Sequence, residues 1–293
     1  MRFFIQLLIE GIEEGSVYAL WALGYAIVYQ VLGLMNFAFG DTLLLCLYLV
    51  TGLEAGFHMS PWIALVLALA LAAGASMFIE RQIYSRFTNR QQLEAGFIAA
   101  LACAYILRNV ATAVWGQAPL SFPSFLGTSV YTVGGIKIAS GGLTMLVIAV
   151  GVMALFGLYL RMTKLGRGIV LVGQDRQSAA VVGIPVRAII TVVFGVCGIV
   201  GFVGAALFAN IYGGLNSTLG FYITFQAFIA ATVGGVGSLA GSVVGGLLLG
   251  VIESLAVGYV SGNFAQALAW AAMAVLVLLR PRGILGRAQV ERV

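Results

Sequence analysis

Few side chains in this sequence can do chemistry, and the polar ones set inside apolar runs carry most of the information. Asn36 and Asp41 bracket Phe37, Ala38, Phe39 and Gly40 in "GLMNFAFGD". Gly33 and Gly40 permit a helix break beside these polar groups, and the backbone freed at such a break can line a water-filled path through a membrane. The competing role for Asn36 and Asp41 is to cap the next helix. Phe37, Phe39 and Asp41 are expected near the protein interior, with Phe39 as an apolar constriction. Asn216 and Gln226 are weaker path candidates, because an amide in an apolar helix often only bonds a neighbour. Arg108 in "AYILRNVATAVW" and Glu253 in "LLLGVIESLAVGY" are charges inside long apolar runs. An unpaired ion there costs about 2.5–3.5 kcal/mol on insertion scales. Arg108 lies about 22 Å past Leu93 and Glu253 about 20 Å past Ala240 along helices of the same direction. The matching depths predict that the two pair with each other or share an aqueous cavity, for packing rather than for substrate.

Other chemistries find no support. Neither a His-based dyad nor paired acids within a span is present, so a hydrolase would have to be built from scattered singletons. His58 stands alone in "EAGFHMSP", and Cys46, Cys103 and Cys197 are odd in number, far apart and embedded in apolar runs. A metal site and a disulfide framework are both disfavoured. No G-x-x-x-x-G-K-[ST] motif occurs, and "GGVGSLAG" has no Lys after it, so the chain does not cradle ATP phosphates by that device. An enzyme, and a cofactor held by this chain, are both disfavoured.

The elements that hold these residues follow from composition. Of 293 residues 61% are hydrophobic and 9% charged, whereas soluble domains carry about 25% charged residues. The predicted fold is all-α, a polytopic membrane helix bundle forming a single domain over residues 1–293. Spans are expected at Gly15–Leu32, Phe37–Leu53, Pro61–Ile83, Leu93–Trp115, Leu143–Leu160, Ala188–Tyr212, Leu219–Val233, Ala240–Tyr259 and Phe264–Leu279. The second begins with polar residues and Leu219–Val233 is short, so broken or re-entrant helices enter a count of about eight to ten membrane segments. The first fourteen residues, "MRFFIQLLIEGIEE", read as an amphipathic stub, too short and too acidic for a cleaved signal peptide.

The net charge of +5 reports topology. Twelve of fifteen Lys and Arg fall in three clusters: Arg81, Arg86, Arg90; Arg161, Lys164, Arg167, Arg176, Arg187; and Arg280, Arg282, Arg287, Arg292. Each lies in a connection or tail beside an apolar span, as cytoplasmic segments do, which leaves no reason to invoke nucleic acid. Residues 116–142 are then external, with "YTVGGIKI" as a hairpin around Gly134 and Gly135 and Lys137 as an exception. In "GGVGSLAGSVVGGLLLG", Gly237, Gly241 and Gly245 repeat every four residues, and Gly246 and Gly250 repeat one step around the helix. Such stripes let helices approach closely, and tight packing within the bundle is favoured over dimerisation. "GLMN" at Gly33–Asn36 is echoed by "GGLN" at Gly213–Asn216, consistent with broken helices in corresponding halves.

The cytoplasmic loop 161–187 contains "GQDRQSAAVVGIP", which reads as a short capped helix. Asp175 can accept first-turn N–H bonds, Gly183 can turn left-handed past the end, and Pro185 stops continuation. Ala179 and Val182 form its small apolar face, with Arg176 and Gln177 elsewhere. Helices that lie on lipid usually carry bulkier Trp, Phe or Leu, so docking into a protein groove is favoured over contact with the bilayer or a plain structural loop.

The stretches "GSVYALWALGYAIVYQVLGLMNFAFGD", "LGRGIVLVGQDRQSAAVVGIPV", "AFIAATVGGVGSLAGSVVGGLLLGVIESL" and "LLRPRGILG" occur in that order over nearly the whole chain. Together they resemble the permease subunits of branched-chain amino acid type ABC importers. The resemblance implies a bacterial inner-membrane complex with a homologous second permease, two cytoplasmic ATPase subunits that bind the ATP, and an extracytoplasmic substrate-binding protein. It also implies that Asp175, Arg176, Ala179, Val182 and Gly183 form the coupling helix. The family's first motif commonly reads Asn-Phe-Ala-His-Gly, and here Phe39 replaces the His. The cargo implied is therefore a branched-chain amino acid or a related small polar solute. A channel or secondary transporter working without an ATPase is the alternative; a purely structural scaffold would give the broken second span no purpose.

Overall fold

A computed structural model describes residues 2–87, 93–127, 129–133, 136–235, 237–260, 262–280 and 283–286. Its helices are α1 (Arg2–Leu32), α2 (Phe39–Phe57), α3 (Pro61–Gln82), α4 (Leu93–Trp115), α5 (Ser140–Met162), α6 (Lys164–Gln174), α7 (Arg176–Val181), α8 (Val186–Tyr212), α9 (Leu219–Gly234), α10 (Leu239–Tyr259) and α11 (Gly262–Leu279). Four short strands, β1 (Leu120–Ser121), β2 (Val130–Val133), β3 (Ile136–Ala139) and β4 (Gly214–Leu215), form two antiparallel pairs, β1 with β4 and β2 with β3. The β2–β3 register brings Val133 opposite Ile136, as the hairpin reading requires; Gly134 and Gly135 themselves lie outside the described residues. Arg90, Arg282, Arg287 and Arg292 of the basic clusters also lie outside them.

Among the described residues seven helices are long and apolar enough to cross a membrane, and α9 and α11 are shorter apolar helices. That total agrees with the sequence reading, and most boundaries fall within a few residues of those expected. The exception is the N-terminus. No separate amphipathic stub exists, because α1 runs unbroken from Arg2 and buries Leu7 and Glu13 while leaving Phe3, Phe4 and Ile12 exposed. Acidic residues near a helix start are compatible with continuation, and nothing in this stretch breaks the backbone pattern. Among the spans α1 is 89% buried over its apolar window and α8 78%, whereas α3, α4 and α5 reach only 22–28%. The former are core helices. The latter present apolar surface outward, as lipid-facing or partner-facing helices do.

The chain divides into two compact units: 1–26 with 126–150 and 226–293, and 27–125 with 151–225. In the first, α10 packs through both of its glycine stripes. A Cβ on Gly245 or Gly241 would strike the backbone of Ala230 or Gly234 on α9, and one on Gly246 or Gly250 would strike Ala19, Gly15 or Gly11 on α1. Backbone-to-backbone approach of this kind is what small-residue stripes provide in lipid, where packing drives association. Ser254 Oγ seals the α1 contact by donating to the Leu7 carbonyl at 2.8 Å. Gly241, Gly245, Gly246 and Gly250 are therefore used within the chain in the packing role expected, whereas Gly237 precedes α10 in a left-handed turn with φ 84° and takes no part in it.

In the second unit α2, α3, α4 and α8 pack together. In the α1–α2 turn Leu34 and Asn36 are each 6% exposed and Ala38 0%, while Met35 and Phe37 are half-buried and Gly33 is exposed. An irregular segment is tolerated at membrane depth when protein covers it in this way.

Candidate functional site

Two turns of matching design meet in the second unit. Gly33 ends α1 with φ 72° and Gly213 ends α8 with φ 71°, a left-handed geometry that glycine adopts without steric cost. Three residues on, the carbonyl of Asn36 accepts from Phe39 N at 3.3 Å, and that of Asn216 accepts from Leu219 N at 3.1 Å. The helices α2 and α9 start there, and their first turns touch: a Cβ on Gly40 would strike the Gly220 carbonyl, and Gly40 N donates to Thr224 Oγ1 at 2.9 Å. The weak sequence echo thus corresponds to a repeated structural device.

Asp41, with its side chain 1% exposed, lies at this junction, where a Cβ on Gly220 would come within 2.5 Å of its Oδ1. Arg108 Nε and Nη2 donate to Asp41 Oδ1 and Oδ2, both at 3.0 Å, a bidentate pair. The guanidinium also lies over the rings of Tyr105 and Phe221, at 5.4 and 5.9 Å from their centroids. Asn36 is fixed separately, its Oδ1 accepting from Tyr84 Oη at 2.8 Å; Tyr84 sits in a 3-10 turn, Tyr84–Arg86, after α3. Phe39 is 2% exposed and lies on α8 at Gly201, where any side chain would collide with its ring. Phe37 packs edge-on against Phe97 at 4.9 Å.

These contacts correct one pairing and sort the amides. The expected Arg108–Glu253 pair does not form. Arg108 belongs to the second unit and is engaged by Asp41, while Glu253, in the first unit, accepts from Gln226 Nε2 at 2.8 Å. Depth along a helix does not say which face a residue presents, and each charge has a partner within its own unit. Gln226 is 0% exposed and accepts from Trp270 Nε1 at 3.0 Å, so its amide links α9, α10 and α11. Asn216 is exposed, and its Oδ1 accepts from Thr218 N and Oγ1, which is the capping role. Asn36 is bonded to Tyr84 and Asp41 to Arg108, and no side-chain bond caps α2. Sequence reasoning missed Tyr84 and Thr224; a tyrosine in the polar segment "RQIYSRF" was the available signal for the first, and a threonine in an apolar helix gave none for the second.

In the loop 161–187, α6 precedes α7 and was not anticipated; Thr163 caps it, and Ile169 and Val172 are buried. The short helix α7 has the expected ends: Asp175 Oδ1 accepts from Gln177 N at 2.9 Å and Ser178 N at 3.2 Å, and Gly183 has φ 85°. Its faces differ from the expected ones. Ala179 is 4% exposed and turned into the chain, while Val181 and Val182 are 88% and 79% exposed. The helix stops at Val181, so Val182 in the cap no longer follows the spacing that would align it with Ala179. Arg176 is half-buried, and its Nε and Nη2 both donate to the Val31 carbonyl in the last turn of α1. That carbonyl is one a helix end leaves unpaired, and a cation suits the dipole there. Burial holds the Arg176 guanidinium below the usual arginine value.

The chain matches, over residues 7–279, the family described as branched-chain amino acid transport system / permease component. It is 29% identical to the high-affinity branched-chain amino acid transport system permease protein LivH of Salmonella typhimurium and 31% identical to the corresponding BraD protein of Pseudomonas aeruginosa. Each alignment covers 99% of this chain and 98% of the relative. It is 27% identical to the autoinducer 2 import system permease protein LsrD of Escherichia coli, over 85% of this chain and 76% of that one. The chain therefore belongs to the branched-chain amino acid permease family and is a multi-pass inner-membrane subunit of an ABC importer, working with other transporter subunits and not itself an enzyme.

Proposed function

We propose that this permease forms one half of the transmembrane path for a branched-chain amino acid or a related small polar solute. A homologous second permease completes the path, an extracytoplasmic binding protein supplies the solute, and two cytoplasmic ATPases drive transport through the loop 161–187. The observation that carries the reading is the Arg176–Val31 contact, which ties α7 to the end of α1 immediately before the turn that holds Asn36 and leads into Phe39 and Asp41 of α2. A displacement of α7 by an ATPase would reach that turn within a few residues. Phe39 acts there as the apolar constriction, and the contact of α2 with α9 at Gly40 and Gly220 is the part that yields. The near-complete alignments with LivH and BraD support the substrate class, and the LsrD likeness keeps other small solutes within it.

The test is uptake of labelled leucine, isoleucine and valine into proteoliposomes holding the permease pair and its ATPases, with the binding protein added outside. Uptake should require ATP, the ATPases and the binding protein together. Equal uptake by the permease alone would sink this reading in favour of a channel or secondary transporter.

A further inference from the structure

Away from the path, Glu80 and Arg81 at the end of α3, Ser85 in the 3-10 turn after it, and Arg187, Ala188 and Thr191 at the start of α8 line an open cleft of about 410 Å³. Its floor is Glu80, 4% exposed, whose Oε2 accepts from Thr191 Oγ1 at 2.7 Å. Its rim is Arg81 and Arg187, both exposed, and neither guanidinium has a hydrogen-bond or ion-pair partner among the described residues. Two unpaired guanidiniums on one cleft form a fork for phosphate oxygens. The buried carboxylate beside them adds an acceptor that a bare anion would not need.

The cleft continues an outward apolar stripe. Leu67, Leu71 and Phe78 of α3 are exposed at 43, 47 and 63%, and Arg81 follows Phe78 on the same face at helical spacing. An apolar stripe that ends in paired arginines at a helix terminus matches a phospholipid, with acyl chains along the stripe and the headgroup at the basic end. We propose that this cleft binds an aminophospholipid headgroup, with Arg81 and Arg187 holding the phosphate and Glu80 accepting from the primary ammonium.

The test is native mass spectrometry of the complete transporter, released from detergent after incubation with phosphatidylethanolamine, phosphatidylglycerol, phosphatidylcholine or inorganic phosphate. Phosphatidylethanolamine should be retained several-fold more than the other two lipids, and the Arg81→Gln/Arg187→Gln variant should lose that excess. Both side chains are exposed, and an unchanged thermal melt would confirm that the variant folds. Four results would each overturn the proposal: equal retention by wild type and variant, equal retention of phosphatidylglycerol and phosphatidylethanolamine, retention of inorganic phosphate instead of lipid, or loss of the ATPases from the variant with lipid binding unchanged.

Discussion

Arg108 and Asp41 are unequal partners. The Asp41 side chain is 1% exposed and that of Arg108 22%, and the arginine has a second set of attractive contacts, on the rings of Tyr105 and Phe221. Removing one member of a buried pair costs about 3–5 kcal/mol because the other charge is stranded. Arg108→Gln strands the fully buried carboxylate and should cost the full amount. Asp41→Asn leaves a cation with aromatic faces and some solvent, and should cost less. Thermal unfolding of the purified complex would order the two variants, and Asp41→Asn/Arg108→Gln should recover part of the loss of Arg108→Gln. At this scale the sequence revealed which residues matter and little about what they touch. Asn36, Asp41 and Arg108 stand out as polar side chains in apolar runs, and depth along a helix follows from residue number. The facing neighbour does not, which is why equal depth pointed Arg108 toward Glu253.

Among elements, α7 and α10 make opposite uses of small side chains. In α7 the buried Ala179 supports the loop itself, so Ala179→Glu should damage folding rather than coupling alone. The exposed Val182 is the informative position: Val182→Glu should cut ATP-driven uptake by about tenfold or more while the ATPases still hydrolyse ATP and the chain still inserts, since a side chain 79% exposed has few contacts to lose and a Glu there keeps the backbone of the cap. Uptake and hydrolysis measured in the same proteoliposomes would separate those outcomes. The caps of α7 were legible because Asp175 and Gly183 act through local backbone geometry. Its faces were not, because a helix of six residues is oriented by what it docks on. In α10, Gly250→Val would push the helix off Gly15 and Gly11 of α1 and should cost about 1–3 kcal/mol, the range for overpacking. A lowered melting temperature with no change in the oligomer would match the packing role, and loss of a dimer without a change in melting temperature would contradict it.

For the molecule as a whole, hydropathy was the most legible quantity, since span length and apolar content are set by the bilayer and need no knowledge of neighbours. Which helices lie inside was not legible: α1 and α3 are both long and apolar, yet their windows are 89% and 28% buried. That contrast also has a consequence in time. The glycine face of α1 at Gly11 and Gly15 is closed by Gly246 and Gly250, which leave the ribosome 235 or more residues after Gly11. At about 5–20 residues per second the interval between them is roughly 10–50 s. Helix α1 thus waits in the membrane with its closest-packing surface uncovered until α10 arrives, and it is over that interval, before any transport begins, that the nascent chain depends on whatever shields α1.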